Sequence, residues 1–152
     1  MANTRQFLAA ILTVLLVSIP VKGFSQQDEA LIKYRQNLMK GQAGHLGAMF
    51  GIVKGGTGRS TDLPVHARAL YELLGMVVPA FEHRTSGGKT RAKPELWNDF
   101  TDFKQKAGDA ENAADQVLKA VASGDNGSLG KALGAMGEAC KACHKKYRAK
   151  KK

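Results

Sequence analysis

The sequence predicts an all-α protein, a bundle of four helices. Apolar residues recur at three- and four-residue steps in four separate stretches. No stretch shows the alternation of apolar and polar residues that is typical of a half-buried strand. Segments rich in Gly, Pro and Asn separate the four stretches, and such segments suit connections between packed helices. The chain has 152 residues, which is enough for one domain with its own core.

The first 25 residues are predicted to be a cleaved signal peptide, and residues 26–152 the bundle domain. An apolar run from Phe7 to Ile19 has the length of a signal-peptide hydrophobic region and is short for a membrane span. Small residues at Gly23 and Ser25 provide cleavage sites. An uncleaved N-terminal anchor is the alternative. We therefore expect an exported mature chain without a membrane span.

The first two helices are predicted over residues 28–53 and 62–78. Acidic residues stand in the first turn of the first helix, where the helix dipole favours them, and two glycines follow its end. Asp62 can cap the second helix, and Pro64 suits its first turn. Pro79 lies inside the apolar pattern of this helix and should kink or end it near Val78.

A polar, basic connection over residues 83–93 leads to the third and fourth helices. Pro94 is expected to begin the third helix, which ends at Ser123 before a glycine. Residues 125–127 form a turn, and Ser128 is expected to cap the fourth helix.

The fourth predicted helix contains Cys140-Lys141-Ala142-Cys143-His144, and its two cysteines are the only ones in the chain. At these spacings the two thiols and the imidazole share one helical face. The thiols can then form thioethers with the two vinyl groups of one haem, and His144 can ligate the iron. A thioredoxin-like dithiol and a zinc site are the alternatives. The first expects a βαβ setting and the second needs a fourth ligand.

The net charge of +10 is concentrated at the end of the chain, where seven of the twelve residues from Lys141 to Lys152 are Lys or Arg. This end is either a docking patch for an acidic redox partner or an ordinary helix end, since cations favour the C-terminal end of the helix dipole. Nucleic acid is excluded as a partner, because no aromatic residues are interleaved with the lysines in the manner of a base-stacking surface and an exported chain meets none.

These features resemble class II cytochrome c, the cytochrome c prime family, in which the haem motif lies near the end of an exported, all-α chain. Three segments show the resemblance in order: Lys33-Tyr34-Arg35-Gln36, Lys93-Pro94-Glu95-Leu96-Trp97, and Cys140 to Arg148. The resemblance implies an antiparallel four-helix bundle with one covalently bound haem c and His144 as its proximal iron ligand. It also implies a periplasmic location, redox partner proteins and, in many members, a homodimer. No acid, base or nucleophile pair accompanies the motif, so we expect no enzymatic activity.

The residue opposite His144 divides this family. The register counted from Arg35 assigns Met39 to that position, where methionine is typical of the low-spin c-556 type. We therefore expect Met39 to be the sixth iron ligand of a periplasmic one-electron carrier. A five-coordinate, high-spin cytochrome c prime that binds nitric oxide or carbon monoxide is the alternative, with Met39 as an ordinary core residue. Arg35 and Arg148 each lie one turn from a predicted ligand and are candidates to contact the haem propionates. The other histidines are expected to be solvated or hydrogen-bonded: His45, His66 and His83.

Overall fold

The computed structural model describes residues 22–85 and 87–150, with side chains from residue 26 onward. The predicted signal peptide of residues 1–25 therefore lies outside the residues whose side chains are described. Within the described part, a single 3₁₀ turn and six α-helices occur, and their bounds are α1 Lys22–Val53, α2 Leu63–Gly75, α3 Val77–Phe81, α4 Glu95–Asn98, α5 Phe100–Ser123 and α6 Asn126–Tyr147. The prediction of an all-α chain is confirmed.

The bundle consists of α1, the α2–α3 pair, α5 and α6, and successive members run antiparallel. Arg35 of α1 bonds to the carbonyl of Ala80, whereas Gln42, further along α1, donates to the carbonyl of Leu73 at 2.9 Å. As the residue number along α1 rises, the residue number of its hydrogen-bond partner falls, so α1 and the α2–α3 pair run in opposite directions. A Cβ atom at Gly41 would lie 3.2 Å from the Leu73 side chain, which shows how closely α1 and α2 approach.

The α5–α6 connection is a tight turn that differs from its prediction in one detail. Gly124 ends α5 with a φ of 70°, a left-handed conformation that glycine adopts without strain. Asp125, not Ser128, caps α6, because its carboxylate accepts hydrogen bonds from the Gly127 and Ser128 backbone N–H groups at 2.9 and 3.1 Å. The carboxylate thus satisfies two N–H groups that have no partner within the helix.

Two predicted helices are each divided in two. The second breaks at Met76, two residues before the predicted position, because Pro79 offers no N–H to the carbonyl four residues earlier, that of Gly75. The third breaks at Asp99, whose φ of −127° is not helical and whose side chain accepts a hydrogen bond from the backbone N–H of Asp102. Asp99 is therefore an N-cap inside the predicted third helix, and the regular spacing of the apolar residues on either side of it did not reveal the break.

The first helix begins at Lys22, six residues before the predicted start at Asp28. No proline lies between these residues, so nothing in the sequence interrupts the helix there. No helix in the described ranges is long and apolar enough to span a bilayer.

The core lies between the four helices and consists mainly of aliphatic side chains. Met49 and Met136 are fully buried, but Met76 is 48% exposed because it stands at the break between α2 and α3. The largest fully buried side chains are Met49, Leu70, Leu96, Val117, Leu133 and Met136.

We expect the cap of α6 to give the fold a measurable acid sensitivity. Hydrogen bonds from Gly127 and Ser128 hold the pKa of Asp125 below its ordinary value. Because the folded-state pKa is lowered, the stabilisation is present above the unfolded pKa of about 3.9 and is lost as pH falls through the folded value. Asp125→Ala should lower the thermal unfolding midpoint at neutral pH by a few degrees, whereas Asp125→Asn, an equally good cap, should stay near wild type.

Thermal unfolding followed by circular dichroism, repeated as the pH is lowered, checks this prediction. In acid, the unfolding midpoint of the wild type should fall to that of Asp125→Ala, whereas the midpoint of Asp125→Asn should stay above it. Glu72→Ala is a control, since Glu72 only meets Arg68 at 4.0 Å with both side chains exposed. A similar loss in the control, or no loss in Asp125→Ala, contradicts the assignment of the cap.

Candidate haem site

A cavity of about 300 Å³ lies between α1, α6 and the connection of residues 82–94. Met39 of α1 lines it together with Cys143 and His144 of α6. Cys140 does not line this cavity; it is half-buried and packs against the core one turn earlier on α6. The structure thus brings three of the four predicted haem-binding residues to one cavity, and the fourth lies beside it.

The walls of the cavity are apolar, and its rim is cationic. The wall side chains come from four helices, since the apolar stripes that build the core continue to this end of the bundle: Ile32, Val77, Phe81, Leu96 and Phe103. Cationic side chains also reach the cavity, and they come from α1, the 82–94 connection and the end of α6: Arg35, Lys40, Arg91 and Arg148. The sequence indicated the cysteines, the histidine and the methionine, but not these walls.

A short backbone pairing attaches the connection of residues 82–94 to the end of α6. The Lys93 N–H donates to the Tyr147 carbonyl at 2.9 Å, and the Ala149 N–H donates to the Arg91 carbonyl at 2.8 Å. This isolated β-bridge between Ala92 and Arg148 brings Arg91 to the cavity. The basic composition of the connection was visible in the sequence, but its pairing with residues more than fifty positions later was not.

The electrostatic environment of the cysteines disfavours redox chemistry at free thiols. Burial raises the pKa of Cys143 to about 11 and also raises the pKa of Cys140. Both thiols are therefore protonated at neutral pH, whereas a reactive dithiol needs a thiolate. Among the described residues, no group of three or more His, Cys, Asp or Glu side chains could hold a metal ion. The dithiol and zinc interpretations gain no support.

The surroundings of His144 favour its neutral form, which is the form that can bind iron. Burial is the main cause that lowers its pKa, and the nearby charges of Arg148 and Arg91 lower it further. The imidazole is therefore neutral at neutral pH, and a neutral imidazole nitrogen has the lone pair that a metal requires. Its position on α6, one residue after Cys143, places this nitrogen donor on the same side of the cavity as the thiol.

Arg35 is a buried arginine, only 4% exposed, and it anchors the start of the connection to α1. Its Nε donates to the Ala80 carbonyl at 2.6 Å, one terminal nitrogen donates to the Thr85 hydroxyl at 3.0 Å, and the other donates to the His83 carbonyl. The predicted role of Arg35 was a propionate contact. The structure gives each of its nitrogens a protein acceptor, while Arg148 lies exposed at the rim.

Two aromatic rings complete the surroundings of Arg35. Its guanidinium carbon lies 4.7 Å from the centre of the Phe81 ring and 5.6 Å from that of Trp97. The Trp97 indole N–H donates to the Phe81 carbonyl at 2.8 Å. The rings and the guanidinium thus fix the end of α3 against α1, beside the cavity.

We expect Arg35→Met to destabilise the protein by about 2–4 kcal/mol, because two buried acceptors and one partly buried acceptor lose their charged donor. Chemical denaturation followed by circular dichroism measures the free energy of unfolding. Arg84→Met is the matched control, since Arg84 is exposed and, among the described residues, makes one long contact, of 3.5 Å, to Asn98. A loss of less than about 1 kcal/mol in Arg35→Met, or an equal loss in the control, argues against an anchoring role.

The residues present fit a haem c. Two thiols and a neutral imidazole lie on one face of α6, a thioether lies on α1 in the same cavity, and apolar walls suit a flat macrocycle. Arg91 and Arg148 line the cavity at its rim, where their guanidinium groups would suit the carboxylates of the propionates. The donor set matches the chemistry of covalent attachment and axial ligation.

Comparison with known proteins agrees with this site. The model of the family described as Cytochrome C' matches residues 30–148. Cytochrome c' from Pararhodospirillum photometricum is 35% identical over 121 residues, which are 79% of this chain and 97% of the relative. Cytochrome c-556 from Agrobacterium tumefaciens strain B2A is 32% identical over 123 residues, with 79% and 98% covered.

A solved structure is also similar. It is the nitric oxide complex of a variant of cytochrome c prime from Alcaligenes xylosoxidans, with a TM-score of 0.75, 35% identity, and coverage of 82% of this chain and 97% of that one. The family match covers every residue that lines the cavity and the complete cysteine–histidine motif. The chain therefore belongs to the cytochrome c' family, whose four-helix bundles bind haem c covalently.

Proposed function

We propose that this chain transfers single electrons through a haem c that is bound to the thiols of Cys140 and Cys143 and ligated by His144. The single observation that carries the proposal is the cavity that Cys143, His144 and Met39 line together. The haem supplies an iron that changes its charge by one electron. The chain's own residues attach it, exclude water with apolar walls and offer cations to its propionates. We also propose that the chain has no enzymatic activity.

The first candidate for the distal side is ligation by the Met39 sulfur. Met39 is half-buried in the cavity wall and comes from α1, whereas His144 comes from α6. A thioether ligand favours the reduced state relative to harder ligands. Coordination on both sides in both redox states would keep structural change small, which suits an electron carrier. The relatives named cytochrome c-556 support this candidate.

The second candidate is a five-coordinate iron that binds nitric oxide or carbon monoxide. Several relatives are named cytochrome c', and solved relatives hold nitric oxide. These comparisons support gas binding better than they support the low-spin carrier. This candidate requires Met39 to lie away from the iron or to leave it easily. The relatives named cytochrome c' and those named cytochrome c-556 are similarly distant from this chain, at 31–36% identity. The choice between the two candidates therefore depends on whether the Met39 sulfur binds the iron.

The optical spectrum of the purified protein tests the two candidates. Narrow α and β bands in the ferrous protein, with no reaction with carbon monoxide, identify the six-coordinate carrier. A broad high-spin spectrum with rapid carbon monoxide binding identifies the gas-binding protein. A protein that shows no covalent haem stain after denaturation contradicts both candidates.

We also propose a periplasmic location and a redox partner with an acidic surface. The apolar run of residues 7–19 supports export. The lysine-rich end of the chain adjoins the cavity through Arg148, so an acidic partner would be attracted to the side where the haem lies. The rate of electron exchange with an acidic partner should then fall as ionic strength rises. A homodimer is compatible with this arrangement.

A further inference from the structure

Two histidines form a pair that has no part in the haem site. His45 of α1 and His66 of α2 face each other, and their Nδ1 atoms lie 2.9 Å apart. Their ring centres are 5.2 Å apart at an interplanar angle of 56°. Both side chains are half-buried, and neither lines the cavity between α1 and α6. The sequence predicted only separate surface roles for them.

The spacing of these two nitrogens suits a metal ion as well as a hydrogen bond. Two metal–imidazole bonds of about 2.0–2.1 Å at angles of about 90–110° hold their nitrogens about 2.9–3.4 Å apart. The observed 2.9 Å lies at the short end of this range. The pair can therefore take up an ion with small ring rotations and without movement of the helices.

The hydrogen bond between the two rings is also compatible with a bound cation. A hydrogen bond between two Nδ1 atoms requires one to donate and the other to accept. When an ion binds, the donor's proton can move to its own Nε2, which frees both Nδ1 lone pairs without any net release of a proton. The geometry thus places both nitrogen ligands within reach of one cation.

The surroundings add a negative charge. Asp62 lies one turn before His66, and its carboxylate is close enough to interact electrostatically with the His66 side chain. Arg59 neutralises part of this charge through two hydrogen bonds to the Asp62 carboxylate, of 2.8 and 3.1 Å. Asp62 would therefore add some attraction for a cation, and water would supply the remaining ligands at this partly exposed position.

We propose that His45 and His66 bind one divalent transition-metal ion of the kind that prefers imidazole, such as Zn²⁺, through their two Nδ1 atoms, and that the ion links α1 to α2. Imidazole nitrogen suits Zn²⁺, Ni²⁺ and Cu²⁺. The metal site shares no residue with the haem site, so a failure to bind zinc would not bear on the proposed electron transfer. The ion would stabilise the helix pair on which Met39 depends for its position, because it binds the folded form alone.

Titration of the purified, haem-loaded protein with Zn²⁺ in a calorimeter tests the proposal. Zinc has no redox chemistry of its own and leaves the oxidation state of the haem unchanged. We expect one equivalent to bind, and we expect His45→Gln and His66→Gln each to weaken binding at least about tenfold, since loss of a group that merely supports a ligand already costs about 10–100-fold. His83→Gln is the matched control and should bind like the wild type.

Two further measurements test zinc binding even if one of the variants folds poorly. Zinc should raise the thermal midpoint of the wild type and of His83→Gln but not that of His66→Gln. In nitrogen NMR spectra of the wild type, zinc should shift the Nδ1 signals of His45 and His66. Equal zinc affinity in His66→Gln and the wild type, or zinc-induced shifts at His83 alone, would overturn the proposal.

Discussion

Met39→Leu is expected to turn a six-coordinate, low-spin haem into a five-coordinate, high-spin one. Leucine has nearly the same volume as methionine and no sulfur, so the cavity wall remains while the iron loses a ligand. The ferrous spectrum should change from narrow α and β bands to broad ones. The protein should change from unreactive toward carbon monoxide to rapidly reactive, and absorption spectroscopy with stopped-flow mixing measures both changes.

Met49→Leu is the matched control for this prediction. Met49 lies on the same helix, is fully buried and does not line the cavity. Its substitution should leave the spectrum and the carbon monoxide reaction unchanged. If Met39→Leu also leaves them unchanged, Met39 is not the iron ligand. If the wild type is already high-spin and reactive, the gas-binding candidate stands and the low-spin carrier is wrong.

Much of the fold could be predicted from the sequence because it depends on local chemistry. The period of the apolar residues indicates helices wherever one face is buried, and this held for α1, α2, α5 and α6. The candidate site was partly predictable for the same reason. Cys143 and His144 are neighbours on one helix, so their spacing alone predicts that both side chains share one face. Met39 was assigned through the resemblance to the cytochrome c prime family, whose register is counted from Arg35, because helical geometry alone does not distinguish it from the other methionines.

The other features depend on contacts between distant residues or on competition between nearby groups. Asp125 and Ser128 are both good N-cap residues, and only the backbone path decides that the carboxylate receives the hydrogen bonds. Two of the three hydrogen-bond acceptors of Arg35, His83 and Thr85, lie in a connection without periodicity, and all three are 45–50 residues away from it. The His45–His66 contact requires the exact rotation of two helices about their axes, which the apolar stripe defines only to within a broad arc.

Cys140→Ala combined with Cys143→Ala is expected to abolish covalent haem attachment. The single variants should each retain haem through one thioether, because Cys140 and Cys143 occupy separate positions one turn apart on α6. His144→Ala should also retain the haem after denaturation, since both thioethers remain, but it should lose the spectrum of an imidazole-ligated iron. Gel electrophoresis under denaturing conditions with a haem stain separates these outcomes. Haem that remains attached in the double variant would contradict the assignment of the thiols.

The double variant should also fold poorly, and the size of the cavity gives the reason. At about 24 cal/mol per Å³, an unfilled apolar cavity of about 300 Å³ would cost about 7 kcal/mol. That cost is an upper value because the rim is open to water, yet it is comparable with the 5–15 kcal/mol that stabilises a typical domain. Thermal unfolding should therefore show a large fall in midpoint for the double variant and a much smaller one for His144→Ala, in which the haem still fills the space. Equal midpoints in the two variants would mean that the bundle closes the cavity with its own side chains when no haem is bound.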